Sequence, residues 1–319
     1  MPILVAPREH PTYAWRDGQE AETVEISGRK SVRSDRGEAV RSVRRKSAGP
    51  QEQTGDSRDD RYLGHIRSAL QVCRNYKPKF GHGKSAGVSL EEFRRLYNDD
   101  EFYSWFGLDS PLVYSAHKAA GGMTSVYRQI GLGCQRLFQS LLEDSLGLST
   151  ADATWSYEIR VKGKRTRTHA LDGRIPIDQV DDDAVRKRVE TWIQDAATAI
   201  GLKQNGAQGL DGCVFEVRQG YKSNDAKRQN ADVANASSAY AHRYLPVMAL
   251  LSVQIPRSLA DRYERARWLI LRGTVDGTAT CSTYAFSHEV LGYDLAGFFR
   301  RNSTAIKSET LAVLEGLLQ

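Results

Sequence analysis

The chain has 319 residues, and its 45 Lys and Arg against 39 Asp and Glu give a formal net charge of +6 at pH 7. This modest basic excess excludes a histone-like tail protein, and a hydrophobic content of 40% is typical of a chain that folds around a core. No run approaches the roughly 18 consecutive apolar residues that a membrane-spanning helix needs, so we expect no membrane association.

The N-terminus and the cysteines predict a cytoplasmic protein. The opening MPILVAP is a short apolar patch that ends before Arg8, which makes a poor secretory signal. The four cysteines lie far apart and none has the spacing of a zinc site or a redox pair, so we expect reduced, buried thiols. They are Cys73, Cys134, Cys213 and Cys281.

Residues 1–60 are predicted to form a flexible basic arm. From about residue 13 to residue 60 the sequence is polar and low in large aliphatic residues, and residues 41–46 are rich in arginine. Such a segment cannot bury enough apolar area to offset the entropy that it loses on ordering. Two interpretations remain open, a solvated linker and a basic arm that follows a phosphate backbone.

Residues 61–319 are predicted to form one domain, which starts with a helical part at residues 61–150. Apolar residues recur at helical spacing over residues 62–73. Further on, Ser89 precedes a Glu at position 92, which resembles the capping box at the start of a short helix. This part of the chain therefore favours helices over strands.

A longer helix is predicted to follow a glycine break. We expect Gly121-Gly122 to interrupt the chain before Thr124 or Ser125 caps the helix. Its apolar residues have the spacing of a helix that packs one face on a core. They are Val126, Ile130, Cys134, Leu137, Leu141 and Leu142.

The core of the domain is expected in residues 151–275, followed by C-terminal helices in residues 276–319. Two strands, 154–161 and 166–171, flank a basic turn and form a hairpin. The later elements alternate between helix and strand, which predicts an α/β or α+β fold with a central mixed sheet flanked by helices. They are a helix opening at 181–183, a strand at 213–221, a helix at 225–240, a strand at 245–253, a helix after Pro256, a strand at 268–271 and a helix from about Ser303.

Side chains of opposite charge share one face of the strand predicted at 213–221. Because side chains alternate along a strand, Glu216 and Arg218 lie on the face opposite Phe215 and its apolar neighbours. Charges within an otherwise apolar strand cost stability unless a partner compensates them, and a bound divalent metal or a phosphate is a natural partner. The alternative interpretation is a Glu216–Arg218 pair on a solvated sheet face.

Metal-dependent phosphodiester cleavage fits this combination of residues. Two carboxylates that hold Mg²⁺ beside a cation can polarise a phosphodiester, lower the pKa of a bound water and stabilise the leaving oxygen. Lys222 lies beyond Glu216 by about 20 Å along a straight strand, so it joins the site only if Gly220 bends the chain.

The stretch FEVRQGYKSNDAKRQNAD, residues 215–232, resembles the active-site block of the PD-(D/E)xK nucleases, and in particular of type II restriction endonucleases of the ApaLI type. The stretch GGMTSVYRQIGLGCQRLF, residues 121–138, is similar to their N-terminal helix. The resemblance covers residues 116–253. It implies a restriction-endonuclease-like core, in which one strand carries Asp/Glu-x-Lys, a helix and a strand follow, and an Asp lies upstream on the neighbouring strand.

The resemblance implies that Glu216 is the acid of the motif, but Arg218 stands where Lys is usual. Because arginine stays protonated, Arg218 can orient water or hold a phosphate but cannot act as a general base. Lys222 is the reserve candidate for the missing lysine. The implied catalytic residues are therefore Glu216, Arg218 and Lys222.

The upstream acid of the metal site has two candidates. Asp211 lies an odd number of residues before Glu216, which places the two on opposite faces of a regular strand, and a turn role for Asp211 is an alternative. Asp172 follows the hairpin, can lie on the neighbouring strand and is preferred, although an Asp-Gly turn also explains it. The predicted Mg²⁺ ligands are Asp172, Asp211 and Glu216.

Two groups of residues are candidates for DNA contacts. Lys227, Arg228 and Gln229 fall in the first turns of a predicted helix, where main-chain N–H groups and basic side chains can grip phosphates. The second group, at the tip of the hairpin, is positioned to enter a groove of DNA. It consists of Lys162, Lys164, Arg165 and Arg167. Simple solvation is the alternative for both groups.

These features together predict a Mg²⁺-dependent type II restriction endonuclease, part of a restriction–modification system, that cuts double-stranded DNA at a short specific site. A symmetric target implies a homodimer with two active sites. The alternative is a sequence-specific DNA-binding protein without catalysis, in which Glu216 and Arg218 form a structural pair.

Overall fold

A four-stranded mixed sheet organises the part of the chain that the computed structural model describes. That part comprises residues 57–80, 87–97, 100–161, 165–203, 206, 209–221 and 226–318. It lies in one compact unit, Thr54–Gln319. Helices flank the sheet and a helical region precedes it, so the predicted mixed α/β class is confirmed. No helix in the described ranges is long and apolar enough to cross a membrane.

All five predicted strands are present in the predicted order, together with one strand, β3, that was not predicted. They are β1 Trp155–Val161, β2 Arg165–Leu171, β3 Gly173–Pro176, β4 Gly212–Arg218, β5 Tyr244–Leu250 and β6 Leu269–Leu271. β1 and β2 form a separate antiparallel hairpin. The central sheet has the order β3-β4-β5-β6, in which β3 runs antiparallel to β4 and the other neighbours are parallel.

The helices form the remaining layers of the described structure. They are α1 Ser57–Gln71, α2 Leu90–Tyr97, α3 Glu101–Trp105, α4 Pro111–Leu146, α5 Thr150–Ala153, α6 Asp183–Ala199, α7 Ala226–Ala241, α8 Arg257–Arg265, α9 Thr283–Glu289 and α10 Leu295–Leu318. The predicted capping box is confirmed, since the Glu92 amide donates to Ser89 Oγ at 3.2 Å and the Ser89 amide donates to Glu92 Oε2 at 2.8 Å.

Both faces of the central sheet are covered, as the apolar runs in β4 and β5 require. Phe215 and the other odd-numbered core residues of β4 pack into a cluster with α1, α4, α6, α9 and α10. Val214 and Met248 pack on the opposite face against α7, α8 and the hairpin residue Trp155. The face of β4 that carries Glu216 and Arg218 is therefore enclosed and not solvated.

The predicted break at Gly121-Gly122 is wrong, because α4 runs without interruption from Pro111 to Leu146. A Cβ at Gly121 would overlap the Tyr76 hydroxyl, and a Cβ at Gly122 would overlap the Leu317 side chain. These glycines let neighbouring elements approach the helix closely, and packing outweighs the helix propensity of about 1 kcal/mol that each glycine loses relative to alanine.

Two further expectations are corrected. The last helix begins at Leu295, earlier than the predicted start near Ser303, and Asp294 Oδ1 accepts the Gly297 amide at 2.7 Å in its first turn. Cys281 is exposed, whereas the other three cysteines are buried as predicted and all four are free thiols.

Asp59 ties the first described helix to the last. It lies in the first turn of α1, is 5% exposed, and accepts hydrogen bonds from the Tyr293 hydroxyl at 2.6 Å and from Arg301 Nε at 2.9 Å. The predicted boundary of the arm at residue 60 thus falls inside α1. The rest of the predicted arm, residues 1–56, lies outside the described residues.

Deleting residues 1–55 should leave the cooperative unfolding transition intact, because α1 and Asp59 are retained.

Within this shortened protein, Asp59→Ala should lower the free energy of unfolding by about 2–3 kcal/mol, since it removes an acceptor of charge-assisted hydrogen bonds. Asp60→Ala, on the exposed side of the same turn, should cost no more than about 0.5 kcal/mol. Equal losses in urea denaturation would show that Asp59 does not anchor α1.

Candidate functional site

The candidate site centres on a buried ion pair in β4. Arg218 Nη2 lies 2.5 Å from Glu216 Oε1, and the two side chains are 11% and 9% exposed. The same Nη2 atom lies 3.3 Å from Asp232 Oδ1 on α7, the helix that connects β4 to β5. One guanidinium therefore contacts carboxylates from two elements.

The surroundings of Arg218 keep it charged. Burial by itself lowers the pKa of the guanidinium, but Glu216, and after it Tyr221, Asp232 and Asp172, outweigh this effect and raise the pKa. Arg218 is therefore a fixed positive charge, as the sequence predicts for an arginine at this position.

Asp232 is held from three directions, although its role was missed in the sequence. The Tyr263 hydroxyl donates to Asp232 Oδ2 at 2.5 Å, and the Tyr221 hydroxyl lies 3.5 Å from the same oxygen. The indole N–H of Trp268 donates to the main-chain oxygen of Asp232 at 3.1 Å. A carboxylate on the buried face of α7 was the available signal, since a buried charge requires a partner.

The two tyrosines act as hydrogen-bond donors across the accessible pH range. Burial raises the pKa of Tyr221 to about 12, and burial together with the hydrogen bond to Asp232 raises the pKa of Tyr263 further. Both hydroxyls therefore keep their protons while they contact Asp232.

Asp172 lies in the bend between β2 and β3 and contacts β4. Gly173 pairs with Phe215 in the β3–β4 register, which places Asp172 next to Glu216. The Asp172 amide donates to the Phe215 carbonyl at 2.8 Å, and Asp172 Oδ2 accepts the Val217 amide at 2.8 Å. The structure therefore brings Asp172, Glu216 and Arg218 together.

Gln135 on α4 is a second contact that the sequence did not predict. Its Nε2 donates to Asp172 Oδ2 at 3.0 Å and to the Val217 carbonyl at 3.2 Å. The amide thereby fixes the orientation of Asp172 against β4. In the sequence, Gln135 is a polar residue between Cys134 and Leu137 of the apolar face of α4. That position indicates a contact with the core but does not identify the partner.

Asp211 lies at the opposite end of β4 from this cluster. Glu216 is five residues further along, about 16 Å at the rise of an extended strand. Asp211 Oδ1 instead lies 2.9 Å from Arg243 Nη2, and both side chains are more than half exposed. The structure does not bring Asp211 and Glu216 together.

The chain bends directly after β4. The bend is at Gln219, and Gly220 has a φ of +149°, where an added Cβ would overlap Ser252 Oγ. The bend turns Tyr221 back toward Asp232. Lys222 itself lies outside the described residues, so its predicted return to the site stays a prediction.

Most of the predicted DNA contacts also lie outside what is described. This applies to Lys162 and Lys164, and to the side chains of the residues whose backbones lie in β2 and α7, namely Arg165, Arg167, Lys227 and Arg228. Gln229 is described, and its Oε1 accepts a hydrogen bond from Arg262 Nη1 at 2.8 Å. Its side chain thus supports packing of α8 on α7.

The donor set at Asp172 and Glu216 suits Mg²⁺. Carboxylate oxygens are the ligands that this ion prefers, and it is commonly held by one or two carboxylates together with water and substrate phosphates. Within the described residues, no group of three or more His, Cys, Asp or Glu side chains is arranged to hold a metal ion. A Mg²⁺ held here would therefore depend on water and on the substrate for its other ligands.

Comparisons of the chain with protein-family models, with curated proteins and with solved structures found no match.

Tyr263→Phe should lower the free energy of unfolding by about 1–3 kcal/mol, because it removes a buried donor to Asp232. Tyr240→Phe is the matched control, since that hydroxyl donates to the Arg267 carbonyl at an exposed position and should contribute about 0.5 kcal/mol. Urea denaturation of both variants measures the difference. A Tyr263→Phe variant as stable as Tyr240→Phe would show that Asp232 does not depend on this hydrogen bond.

Proposed function

We propose that this protein is a Mg²⁺-dependent endonuclease that hydrolyses phosphodiester bonds of double-stranded DNA. The observation that carries the proposal is the proximity of Asp172, which directly precedes β3, and Glu216 on β4, beside the fixed charge of Arg218. Asp172 and Glu216 would hold the ion. When bound, Mg²⁺ supplies polarisation of the phosphodiester and a water of lowered pKa.

Arg218 is suited to contact the substrate as a donor. Its Nε atom is buried and has no hydrogen-bond partner among the described residues. An unsatisfied buried N–H costs about 1–3 kcal/mol, which a phosphate oxygen of the substrate would recover. Arg218 would thus orient the phosphate, while its high pKa prevents it from accepting the proton of the attacking water.

The finer assignment, a type II restriction endonuclease of the PD-(D/E)xK superfamily, rests on the sequence resemblance and on the strand–helix–strand order of β4, α7 and β5. It implies cleavage at a short specific site, a cytoplasmic location and a partner methyltransferase that protects the host DNA. A methyltransferase gene beside the gene for this protein would support this assignment.

One observation favours the second candidate function, a DNA-binding protein without catalysis. Arg218 already contacts two carboxylates, and Tyr263 and Tyr221 complete the coordination of Asp232, so the cluster is also a self-consistent structural network. In that case Glu216 and Arg218 stabilise the sheet, and the basic residues alone account for DNA binding.

Asp172→Asn should lower Mg²⁺-dependent cleavage of plasmid or phage DNA by at least about 100-fold, because the amide is a weaker ligand than the carboxylate. Glu216→Gln should have a similar effect. Asp211→Asn is the matched control, since it makes the same chemical change at the far end of β4, and it should retain the wild-type rate.

Gel-shift binding in Ca²⁺ should be preserved in all three variants, which separates loss of catalysis from loss of folding. Equal activity of Asp172→Asn and wild type would overturn the proposed active site. If the wild-type protein binds DNA but does not cut it in Mg²⁺, the binding protein is the correct function.

We further propose that the protein is a homodimer that associates through the surface formed by α3, residue Phe106 after it and the first turn of α4. Four large apolar side chains there are between 58% and 78% exposed. They are Phe102, Trp105, Phe106 and Leu112. Together they expose on the order of 500 Å² of apolar surface, more than half of the roughly 800 Å² that each partner of a stable complex buries. A second copy is the occupant that a symmetric DNA site requires.

The double variant Trp105→Ser/Phe106→Ser should be monomeric in size-exclusion chromatography with light scattering, at concentrations where the wild type is a dimer. Leu311→Ser in α10 is the control, because this leucine is 57% exposed and lies on a different helix. A wild-type monomer, or a dimer that survives the double variant, would contradict the assignment of this surface.

A further inference from the structure

A cleft of about 620 Å³ opens between α4 and the carboxyl end of β4. One face of α4 forms its outer wall, with Arg128, Gly131 and Gln135 at helical spacing. Arg218 and Gln219 form the inner wall. The side-chain Nε2 of Gln219 donates to the main-chain carbonyl of Tyr127 at 2.9 Å across the cleft. The cleft therefore lies where parallel strands end, the position at which ligands commonly bind open sheets.

The cleft borders the candidate site. Gln135, which lines it, donates to Asp172, and Arg218, which also lines it, contacts Glu216. Two residues of the cleft wall are therefore in direct contact with the two carboxylates.

The cleft has the charge expected of a phosphate site. Arg128 is exposed at the mouth of the cleft and forms no ion pair with any of the described residues. Arg218 supplies the second guanidinium, with an N–H that no described residue accepts. Planar guanidinium groups bind phosphate oxygens through paired N–H donors, which makes phosphate the natural ligand for this pair.

Gly131 has no packing role in α4, in contrast to the other glycines of that helix. A Cβ at Gly121, Gly122 or Gly133 would press against neighbouring atoms, whereas a Cβ at Gly131 would meet nothing within 4 Å. Glycine weakens a helix interior relative to alanine, so packing does not account for this residue. Its missing side chain leaves the cleft open.

We propose that this cleft admits a phosphodiester of one DNA strand, with Arg128 contacting the phosphate at the mouth and Arg218 at the inner end. This inference deepens the proposed function and rests on it, because it assigns the path by which the scissile strand reaches Asp172 and Glu216. Gly131 provides the width that the sugar-phosphate backbone needs.

The experiment measures binding of a fluorescein-labelled mixed-sequence DNA duplex by fluorescence anisotropy. Ca²⁺ replaces Mg²⁺, so that binding is measured without cleavage. Gly131→Trp fills the cleft and should weaken binding by at least about tenfold. Gly64→Trp in α1 is the matched control, because a Cβ there also meets nothing within 4 Å, and it should bind as the wild type does. Thermal unfolding should show that both variants are folded.

Arg128→Ala should weaken binding and reduce the slope of log affinity against log salt by about one, as expected for one lost phosphate contact. Arg300→Ala, which removes an exposed charge from α10, should leave the slope unchanged. Wild-type affinity and slope in both Gly131→Trp and Arg128→Ala would overturn the proposal.

Two further results separate this inference from its alternatives. Saturable binding of inorganic phosphate that is lost in Arg128→Ala, with DNA binding unaffected, would identify a site for free phosphate and overturn the DNA path. If Gly131→Trp weakens DNA binding but the wild type never cuts, the cleft assignment stands and the nuclease fails. If the wild type cuts and Gly131→Trp cuts equally well, the nuclease stands and the cleft assignment fails.

Discussion

The burial of Arg218 between Glu216 and Asp232 is the constraint on which the rest of the site depends. A guanidinium removed from water needs carboxylates at hydrogen-bond distance, and these come from β4 itself and from the crossover helix α7. Once Asp232 is enclosed, its other oxygen also needs a donor, which Tyr263 provides, and the Tyr221 hydroxyl lies 3.1 Å from the Tyr263 hydroxyl and 3.5 Å from Asp232 Oδ2. The bend after β4 brings Tyr221 to this cluster.

The same constraint relates to the covering of the sheet face that carries Glu216 and Arg218. A solvated face would have satisfied Glu216 and Arg218 with water, but α7, α8 and the hairpin close over it and form an apolar cluster around Val214 and Met248. A charged network inside such a cover is retained at a cost in stability relative to apolar residues of similar volume. That cost favours a functional role for the network, as either a catalytic centre or a feature that fixes one arrangement of α7 on the sheet.

The sequence predicted those parts of the structure that depend on local patterns. Alternation placed Glu216 and Arg218 on one face of β4, and the position of Asp172 directly after the hairpin predicted a carboxylate close to β4. Contacts between distant elements could not be predicted. Gln135 lies on the face of α4 that approaches β4, and nothing in the local sequence identifies Asp172 and the Val217 carbonyl as its partners. The glycines at 121 and 122 were misread for the same reason, since their effect comes from neighbours far away in the chain.

An arginine at position 218 limits the chemistry that the proposed nuclease site could perform. Lysine can lose its proton when it is buried, whereas Arg218 remains charged because its carboxylate partners raise a pKa that is already high. In the proposed nuclease, the proton of the attacking water would therefore pass to a group other than residue 218, such as bulk water or an oxygen of the substrate phosphate. Arg218 would then act through charge and orientation alone. Its contribution to the reaction would be the stabilisation of negative charge on the phosphate, for which a guanidinium held rigidly by Glu216 and Asp232 requires little reorganisation.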